Sequence, residues 1–223
     1  MSVDLAASLE QIVLRATLPI ADVVATASAA ATSGVSAVVV FPVHVAAVRA
    51  ALPRGAVRLC AAVGVPFSAD GPTALRAGVE RAVSDGADIV EVMLPLSLLR
   101  EPASVVAGCF RAASAPLHSG GRSIEARAIL ETGYVDEATA LALAQALAGA
   151  GCDAVVVASG FGPSGATPEL VRTLRRALPP DLVLKAQGAV RSLADVERLR
   201  AAGAARVGVG DTASVLAEAA ESP

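Results

Sequence analysis

The chain has 223 residues, 54% of them hydrophobic and 17% charged, with a mean hydropathy of +0.62. That length can bury one large core but is too short for two ordinary domains, so we expect a single domain over residues 1–223. A net charge of −3 and an aromatic content of 2% without Trp exclude the basic, base-stacking surface of a nucleic-acid binder.

Short apolar runs alternate along the chain with Ala-rich segments. The runs are rich in Val and Ile and are bounded by Gly or Pro, which predicts strands covered on both faces. Eight runs are present: Ile12–Leu14, Ala37–Phe41, Arg58–Val63, Ile89–Leu94, Ile124–Leu130, Ala154–Ala158, Leu182–Ala186 and Arg206–Val209. The stretch 23–48 carries no Asp, Glu, Lys or Arg, but Gly34 and Pro42 interrupt it. A helix, a turn and a buried strand are therefore favoured there over a membrane span.

The segments between the runs predict helices. Over Pro72–Ser84, Leu75, Val79 and Val83 recur every four residues, and Asp136–Ala148 and Leu193–Ala202 behave similarly. Eight strand–helix units in one chain predict a single (β/α)8 TIM barrel. The alternative, an open doubly wound sheet, usually has a Gly-x-Gly-x-x-Gly turn after its first strand, and none is present.

In a barrel of this kind, the functional site lies where the strands end. Ten polar residues fall at or near the predicted strand ends: Arg15, Thr17, His44, Glu91, Glu131, Ser159, Lys185, Gln187, Asp211 and Thr212. The three cysteines lack CxxC spacing, and no cluster of His, Asp, Glu or Cys has metal-ligand spacing. We therefore expect no disulfide, no metal and no cofactor.

Several segments, in order and over nearly the whole chain, resemble deoxyribose-phosphate aldolase. The most specific are the loop SGFGPSGAT (159–167) and the strand with its turn LKAQGAVR (184–191). Further similar segments are VVVFPVHV (38–45), CAAVGVP (60–66), DGADIVEVML (85–94), ILETGYV (129–135) and ARVGVG (205–210). The resemblance implies the same TIM-barrel fold and the chemistry of an aldehyde lyase.

The family's functional residues are only partly matched. Its Schiff-base lysine falls at Val156, which cannot form an imine, whereas its second lysine matches Lys185, the only lysine in the chain. Glu91 stands where the family has a proton-shuttling Asp. The resemblance therefore implies Lys185 and Glu91 as candidate catalytic residues. Asp211 replaces a serine of the family's phosphate site, and a carboxylate there opposes a phosphate dianion.

Lys185 has three interpretations: a relocated imine-forming amine, an acid–base or electrostatic residue, and an inert remnant paired with a carboxylate. An imine requires a neutral amine, and Arg127 or Arg15 could lower the lysine pKa. Glu91 is either a general acid or base or only the partner of Lys185. The candidate substrate-binding residues are Arg15, Thr17, Arg127, Ser159, Gln187 and Arg191. Their structural alternatives are a turn for Ser159 and a solvated helix start for Arg191.

We expect a diverged aldolase-family enzyme that acts on a small, non-phosphorylated carbonyl compound, with Lys185 as the key residue. One alternative is a non-catalytic barrel that binds a ligand or a partner chain, and another is an ordinary 2-deoxyribose 5-phosphate aldolase. The N-terminal sequence has acidic residues and no basic region of a signal peptide, so a cytoplasmic protein is expected. No nucleic-acid or membrane partner is expected, and a homodimer is the candidate assembly.

Overall fold

The computed structural model describes residues 5–53, 55, 57–118 and 123–221. Its eight strands form one closed barrel in which they follow one another in chain order and every neighbouring pair is parallel. The strands are β1 (Leu9–Val13), β2 (Ala37–Val40), β3 (Arg58–Val63), β4 (Ile89–Met93), β5 (Glu125–Ile129), β6 (Ala154–Val156), β7 (Val183–Ala186) and β8 (Arg206–Val209). The predicted (β/α)8 TIM barrel is confirmed.

Helices cover the outside of the barrel. The described residues contain α1 (Leu5–Ser8), α2 (Ile20–Thr32), α3 (Val45–Ala51), α4 (Gly71–Ser84), α5 (Ala103–Ser114), α6 (Glu137–Ala148), α7 (Pro168–Ala177), α8 (Leu193–Ala201) and α9 (Thr212–Glu221). Helices α2 to α9 follow β1 to β8 in turn, so every helix except α1 begins near the carboxyl ends of the strands. In the part of the chain that the structure describes, no helix is long and apolar enough to cross a membrane.

Local sequence explains where these helices begin and end. Asp136 caps α6 by accepting a hydrogen bond from the Thr139 backbone N–H at 2.8 Å. Helix α8 begins with a capping box in which Ser192 and Asp195 satisfy each other's backbone N–H groups. Gly86, after α4, has a φ of 102°, which lies in a region that glycine reaches without a Cβ clash. The chain can therefore leave the helix there and enter β4.

The first strand differs from its prediction. β1 begins at Leu9, three residues before the predicted run, and includes Glu10 and Gln11. Two adjacent polar residues near the amino terminus predict a surface segment, but the side chains of Glu10 and Gln11 are both buried. Glu10 is accommodated because it lies among positive charges inside the barrel, and Gln11 because it binds Thr212 and the Gly210 carbonyl.

The interior of the barrel is arranged in layers to which alternate strands contribute. From the strand register, the central layer holds one side chain from each odd-numbered strand: Glu10, Cys60, Arg127 and Lys185. The next layer toward the carboxyl ends comes from the even-numbered strands: Val39, Glu91, Val156 and Gly208. Four charged side chains thus occupy the middle of an otherwise largely apolar interior.

Candidate active site

Two glutamates, an arginine and the single lysine form a network of ion pairs in the middle of the barrel. At the edge of this network Arg127 Nε lies 2.6 Å from Glu125 Oε1, and Glu125 also pairs with Arg58. Lys185 Nζ lies 2.7 Å from Glu10 Oε2 and 2.6 Å from Glu91 Oε1. Arg127 Nη1 donates to both Glu10 oxygens at 2.8 and 2.9 Å and to Glu91 Oε1 at 3.0 Å. All four side chains are fully buried or nearly so. Their formal charges cancel, which reduces the cost of burying them.

The network sets the protonation of its members. Burial by itself raises the pKa of Glu10, but the charges of Lys185 and Arg127 lower it to about 2. Burial lowers the pKa of Lys185, yet Glu10 and Glu91 together raise it above its ordinary value of 10.5. Even at 10.5, only about one amine in ~3,000 is neutral at pH 7. Lys185 is therefore held as an ammonium ion, the form that cannot attack a carbonyl.

The positive field that was predicted to activate Lys185 is present but too weak. Arg127 does lower the pKa of Lys185, but the two glutamates that it shares with the lysine outweigh it. Arg15 is exposed beyond the end of β1 and takes no part in the network. Arg127 therefore acts on the lysine pKa in the direction that the sequence suggested, but the net shift is upward because each positive charge in the interior is matched by a carboxylate.

Apolar side chains predominate in the layers between Lys185 and the carboxyl ends of the strands. Val156 and Lys185 are register partners on adjacent strands, as predicted. Val156 packs with Met93 and Ile129, which lie nearer the carboxyl ends. The Lys185 amine therefore faces the closed interior and its two glutamates.

A separate cavity of about 230 Å³, here called the mouth cavity, opens at the carboxyl ends of β1, β6, β7 and β8. Its lining is Ile12, Leu14, Ser159, Gly160, Phe161, Gln187, Gly188, Ala189, Val190, Gly208 and Gly210. None of these residues is charged. The Gln187 amide donates to the Ser159 carbonyl at 3.1 Å, whereas Gln187 Oε1 is buried without a hydrogen-bond partner. The lining of the mouth cavity thus contains an unpartnered acceptor that could receive a hydrogen bond from a ligand hydroxyl or a water molecule.

Glu131 holds the β6–α7 loop beside the mouth cavity. Its carboxylate accepts hydrogen bonds from the Ser159 backbone N–H at 3.1 Å and from the Ser159 hydroxyl, which in turn accepts from the Phe161 N–H at 3.0 Å. Burial raises the pKa of Glu131. Its backbone φ of 48° is in the left-handed region, which is strained for a residue with a side chain. The loop is therefore fixed at some energetic cost.

The helix starts near the mouth cavity already carry carboxylates of the chain itself. Asp211 caps α9 through the Ser214 N–H at 3.1 Å, as its position predicts. At the start of α8, Asp195 accepts from two backbone N–H groups at 3.0 and 3.2 Å, and Glu218 accepts from a third at 2.8 Å. Such N–H groups bind phosphate when they are free. Here they are partnered, and the nearby carboxylates repel a dianion.

The structure brings together five of the eight predicted site residues, but at two separate places. Three lie in the charge network: Lys185, Glu91 and Arg127. Two line the mouth cavity: Ser159 and Gln187. Each residue of the second pair follows its strand, where side chains reach the barrel mouth, whereas the first three lie within their strands and point inward.

The other three predicted site residues are exposed and do not line the mouth cavity: Arg15, Thr17 and Arg191. β1 ends at Val13, so the loop that follows carries Arg15 and Thr17 away from the barrel axis. Arg15 instead lines a neighbouring cleft of about 400 Å³ together with Asp211. A wider cleft of about 1050 Å³ lies outside the barrel, lined mainly by α5, α6 and the loops that lead into them.

Two residues that the structure places in the charge network or beside the mouth cavity were missed from the sequence. Glu10 was not predicted, although it lies two positions before Ile12 and so has the same inward orientation on β1. Glu131 was counted among the strand-end polar residues but not among the site residues. The feature of the sequence that could have identified Glu131 is its position directly after a predicted buried strand. Residues after the seven other strands share that position, so it does not single out Glu131.

The fold and the mouth cavity define a TIM-barrel protein with a candidate small-molecule site at the carboxyl ends of its strands. No protein-family model matches the chain. The deoxyribose-phosphate aldolase of Rhodospirillum rubrum is 32% identical over 192 residues, covering 85% of this chain and 79% of that protein. The enzyme of the same name from Micrococcus luteus is 29% identical over 219 residues, covering 96% and 95%. The chain belongs to the deoxyribose-phosphate aldolase family.

Solved structures agree on the fold. An aldolase named QR15 matches with a TM-score of 0.90 at 24% identity, over 98% of this chain and 97% of that one. The deoxyribose phosphate aldolase from Aeropyrum pernix, a tetramer, also has a TM-score of 0.90 at 24% identity, over 98% and 92%. These likenesses show a shared barrel.

Proposed function

We propose that this chain is a diverged aldolase-family protein that binds a small, non-phosphorylated carbonyl or hydroxy compound in the mouth cavity without forming an imine. The observation that carries the proposal is the position of Lys185. The only lysine of the chain is fully buried, paired with Glu10 and Glu91, and separated from the barrel mouth by apolar side chains. A Schiff-base aldolase needs an accessible, neutral amine, and this geometry supports neither condition.

The mouth cavity supports the binding half of the proposal. Its volume of about 230 Å³ is below the ~300–1,000 Å³ of drug-sized pockets, so it suits a compound with few non-hydrogen atoms. Gln187 Oε1 supplies an acceptor for a hydroxyl group, and the uncharged lining favours a neutral ligand. The carboxylates at the starts of α8 and α9 disfavour the phosphate of a sugar phosphate.

In this proposal Lys185, Glu91 and Arg127 serve the fold. Their ion pairs link β4, β5 and β7 to Glu10 on β1, so the network connects strands on several sides of the barrel. Burying such a network costs desolvation free energy. Removing one member leaves a buried charge without a partner, which is strongly destabilising. The residues therefore depend on one another for stability.

A second candidate function is an enzyme that uses Lys185 as a relocated Schiff-base nucleophile. One observation favours it: Lys185 is the register partner of Val156, the family's nucleophile position, and Gln187 two residues later already lines the mouth cavity. Glu91 would then receive the ammonium proton, since it lies 2.6 Å from Nζ. The amine would have to leave both glutamates before it could reach a carbonyl carbon.

Borohydride trapping separates the two candidates. The protein is incubated with glycolaldehyde and sodium cyanoborohydride, and the peptides are analysed by mass spectrometry. The proposal predicts no reduced adduct at Lys185 and no cleavage of 2-deoxyribose 5-phosphate in a coupled assay. A reduced adduct at Lys185 that forms in the folded protein would overturn the proposal. The matched control is Lys185→Arg, which keeps the positive charge and removes the primary amine.

We also propose that the protein works as a homodimer in the cytoplasm. Support for assembly is that the Aeropyrum pernix relative forms a tetramer. Support for the compartment is that Cys60, Cys109 and Cys152 are all unpaired and buried, as expected where thiols stay reduced. Sedimentation velocity tests the assembly, and a monomer at micromolar concentration would contradict it.

A further inference from the structure

The exposed apolar side chains of this protein are concentrated on one face of the barrel. In the described part of the chain, six large apolar residues are at least 39% exposed: Ile20, Val43, Phe67, Val105, Tyr134 and Phe161. Each lies in a loop after a strand or in the first turn of the following helix, at the carboxyl ends of the strands. The face formed by the loops after the helices has none of these six. Apolar surface concentrated in this way commonly marks a binding site.

Phenylalanine shows the same bias. Of the four phenylalanines in the chain, only Phe110 lies in the buried core. The other three follow β2, β3 and β6, next to the barrel mouth: Phe41, Phe67 and Phe161. The rings of Phe41 and Phe161 lie 6.4 Å apart between centroids at an interplanar angle of 46°. This spacing is within the range of a favourable aromatic pair, although Phe161 is still 39% exposed.

The aromatic pair is continuous with the mouth cavity. Phe161 belongs to the lining of the cavity and to the contact with Phe41. The hydrogen bonds from the Phe161 N–H to Ser159 and from Ser159 to Glu131 fix the backbone that carries this ring. A ligand whose polar group reaches Gln187 Oε1 would extend toward these rings. The apolar surface and the unpartnered acceptor therefore belong to one site.

We infer that the mouth cavity accepts a hydroxy-carbonyl compound with an aromatic tail, whose hydroxyl donates to Gln187 Oε1 and whose ring packs on Phe161 and Phe41. The inference rests on the proposed function, since it names the substrate class of the same cavity. A neutral tail is favoured over a phosphate because the helix starts after β7 and β8 are occupied by carboxylates, whereas the rings after β2 and β6 offer an apolar surface. Apolar burial of a ring against two phenylalanines would then supply the binding free energy that electrostatic attraction supplies for a phosphate.

Two neutral ketols that differ only in the tail provide the test. 4-Hydroxy-2-butanone carries the head group alone, and 4-hydroxy-4-phenyl-2-butanone carries the same head group with a phenyl ring. Isothermal titration calorimetry of the full chain should give an affinity for the phenyl compound at least roughly tenfold higher than that for 4-hydroxy-2-butanone. Phe161→Ala should reduce that preference to within about threefold. Val105→Ala is the matched control, since Val105 is also exposed on this face but does not line the cavity.

Each outcome decides a different point. Equal affinity for both ketols overturns the aromatic-tail inference and leaves the proposed function standing. Binding of neither ketol overturns the proposed function as well. If the phenyl preference is absent and Phe161→Ala dissociates a dimer in sedimentation velocity, then a second copy of the chain covers this face and the inference is wrong. Circular dichroism of each variant confirms that the barrel is intact.

Discussion

Replacing Lys185 by methionine tests whether the lysine serves the buried network. Methionine keeps a flexible, unbranched side chain, so the substitution removes the ammonium group and retains most of the packing. Glu10 and Glu91, which lose a partner at 2.7 and 2.6 Å, would then share Arg127 alone. Removing one member of a buried ion pair costs about 3–5 kcal/mol. Against a typical total of about 5–15 kcal/mol, this loss should be plain in urea unfolding at pH 7.

The size of that loss should depend on pH in a defined direction. In the unmodified protein the pKa of Glu10 is about 2, so its carboxylate stays charged down to acidic pH. Without the ammonium ion, burial and the neighbouring carboxylate raise the pKa of one of the two glutamates. That group takes up a proton as the pH falls, which relieves the unpaired charge. The difference in unfolding free energy between the two proteins should therefore narrow from pH 7 to pH 5.

A compensating substitution sharpens the test. In the double variant Lys185→Met with Glu91→Leu, Glu10 keeps its pair with Arg127, which also keeps Glu125, so no buried carboxylate lacks a partner and most of the lost stability should return. A Lys185→Met protein within about 1 kcal/mol of the unmodified chain at pH 7 would refute the reasoning, since such a result means the network contributes little. A difference that widens toward pH 5 would refute it too, because the sign of the proton linkage would be wrong.

Three further predictions concern Glu10, the cap of α9 and the close approach of two glycines. Ion pairs lower the pKa of Glu10 from 4.5 to about 2, so its contribution of about 3 kcal/mol to the unfolding free energy is present above pH ~4.5 and is lost toward pH 2. Glu10→Gln should therefore make the unfolding free energy, measured with urea, depend less on pH in that window. The same pH dependence as in the unmodified protein would contradict this. Asp211→Ser removes a cap carboxylate, so inorganic phosphate should bind roughly tenfold more tightly by ³¹P NMR; equal affinity would count against the repulsion argument. In Gly165→Ala the new Cβ would lie 2.1 Å from the Gly188 carbonyl oxygen, which should cost about 1–3 kcal/mol in thermal unfolding. Gly149→Ala, whose nearest contact is 3.6 Å, should change stability by less than about 1 kcal/mol, and similar losses in both would refute the steric explanation.

The barrel could be predicted because its strands are buried on both faces. A strand such as β4, with every residue buried, has to be nearly continuous in apolar side chains, and this is visible in the sequence. The relation between Val156 and Lys185 could also be predicted, since it follows from which strands are neighbours. These features depend on local composition and on strand order alone.

The charge network could only be predicted in part, for a different physical reason. The contact of Glu10 with Lys185 joins residues 175 positions apart, and Glu10 alone reads as a surface residue near the chain terminus. The register that brings these residues into one layer becomes visible only once the barrel closes. Loop direction was equally hidden. Arg15 and Ser159 both follow strands, but Ser159 lines the mouth cavity, where Glu131 holds its loop, and Arg15 does not.

The single buried lysine also makes the protein its own reporter of unfolding. A protease that cuts only after lysine has one target in the sequence, the bond between Lys185 and Ala186, which lies inside β7 between β6 and β8. Both residues are fully buried, so the peptide bond reaches the protease only when the barrel opens. When opening and closing are fast relative to cleavage, the cutting rate measures the population of the open form. Barrel opening can thus be followed with the protease alone, without denaturant or label.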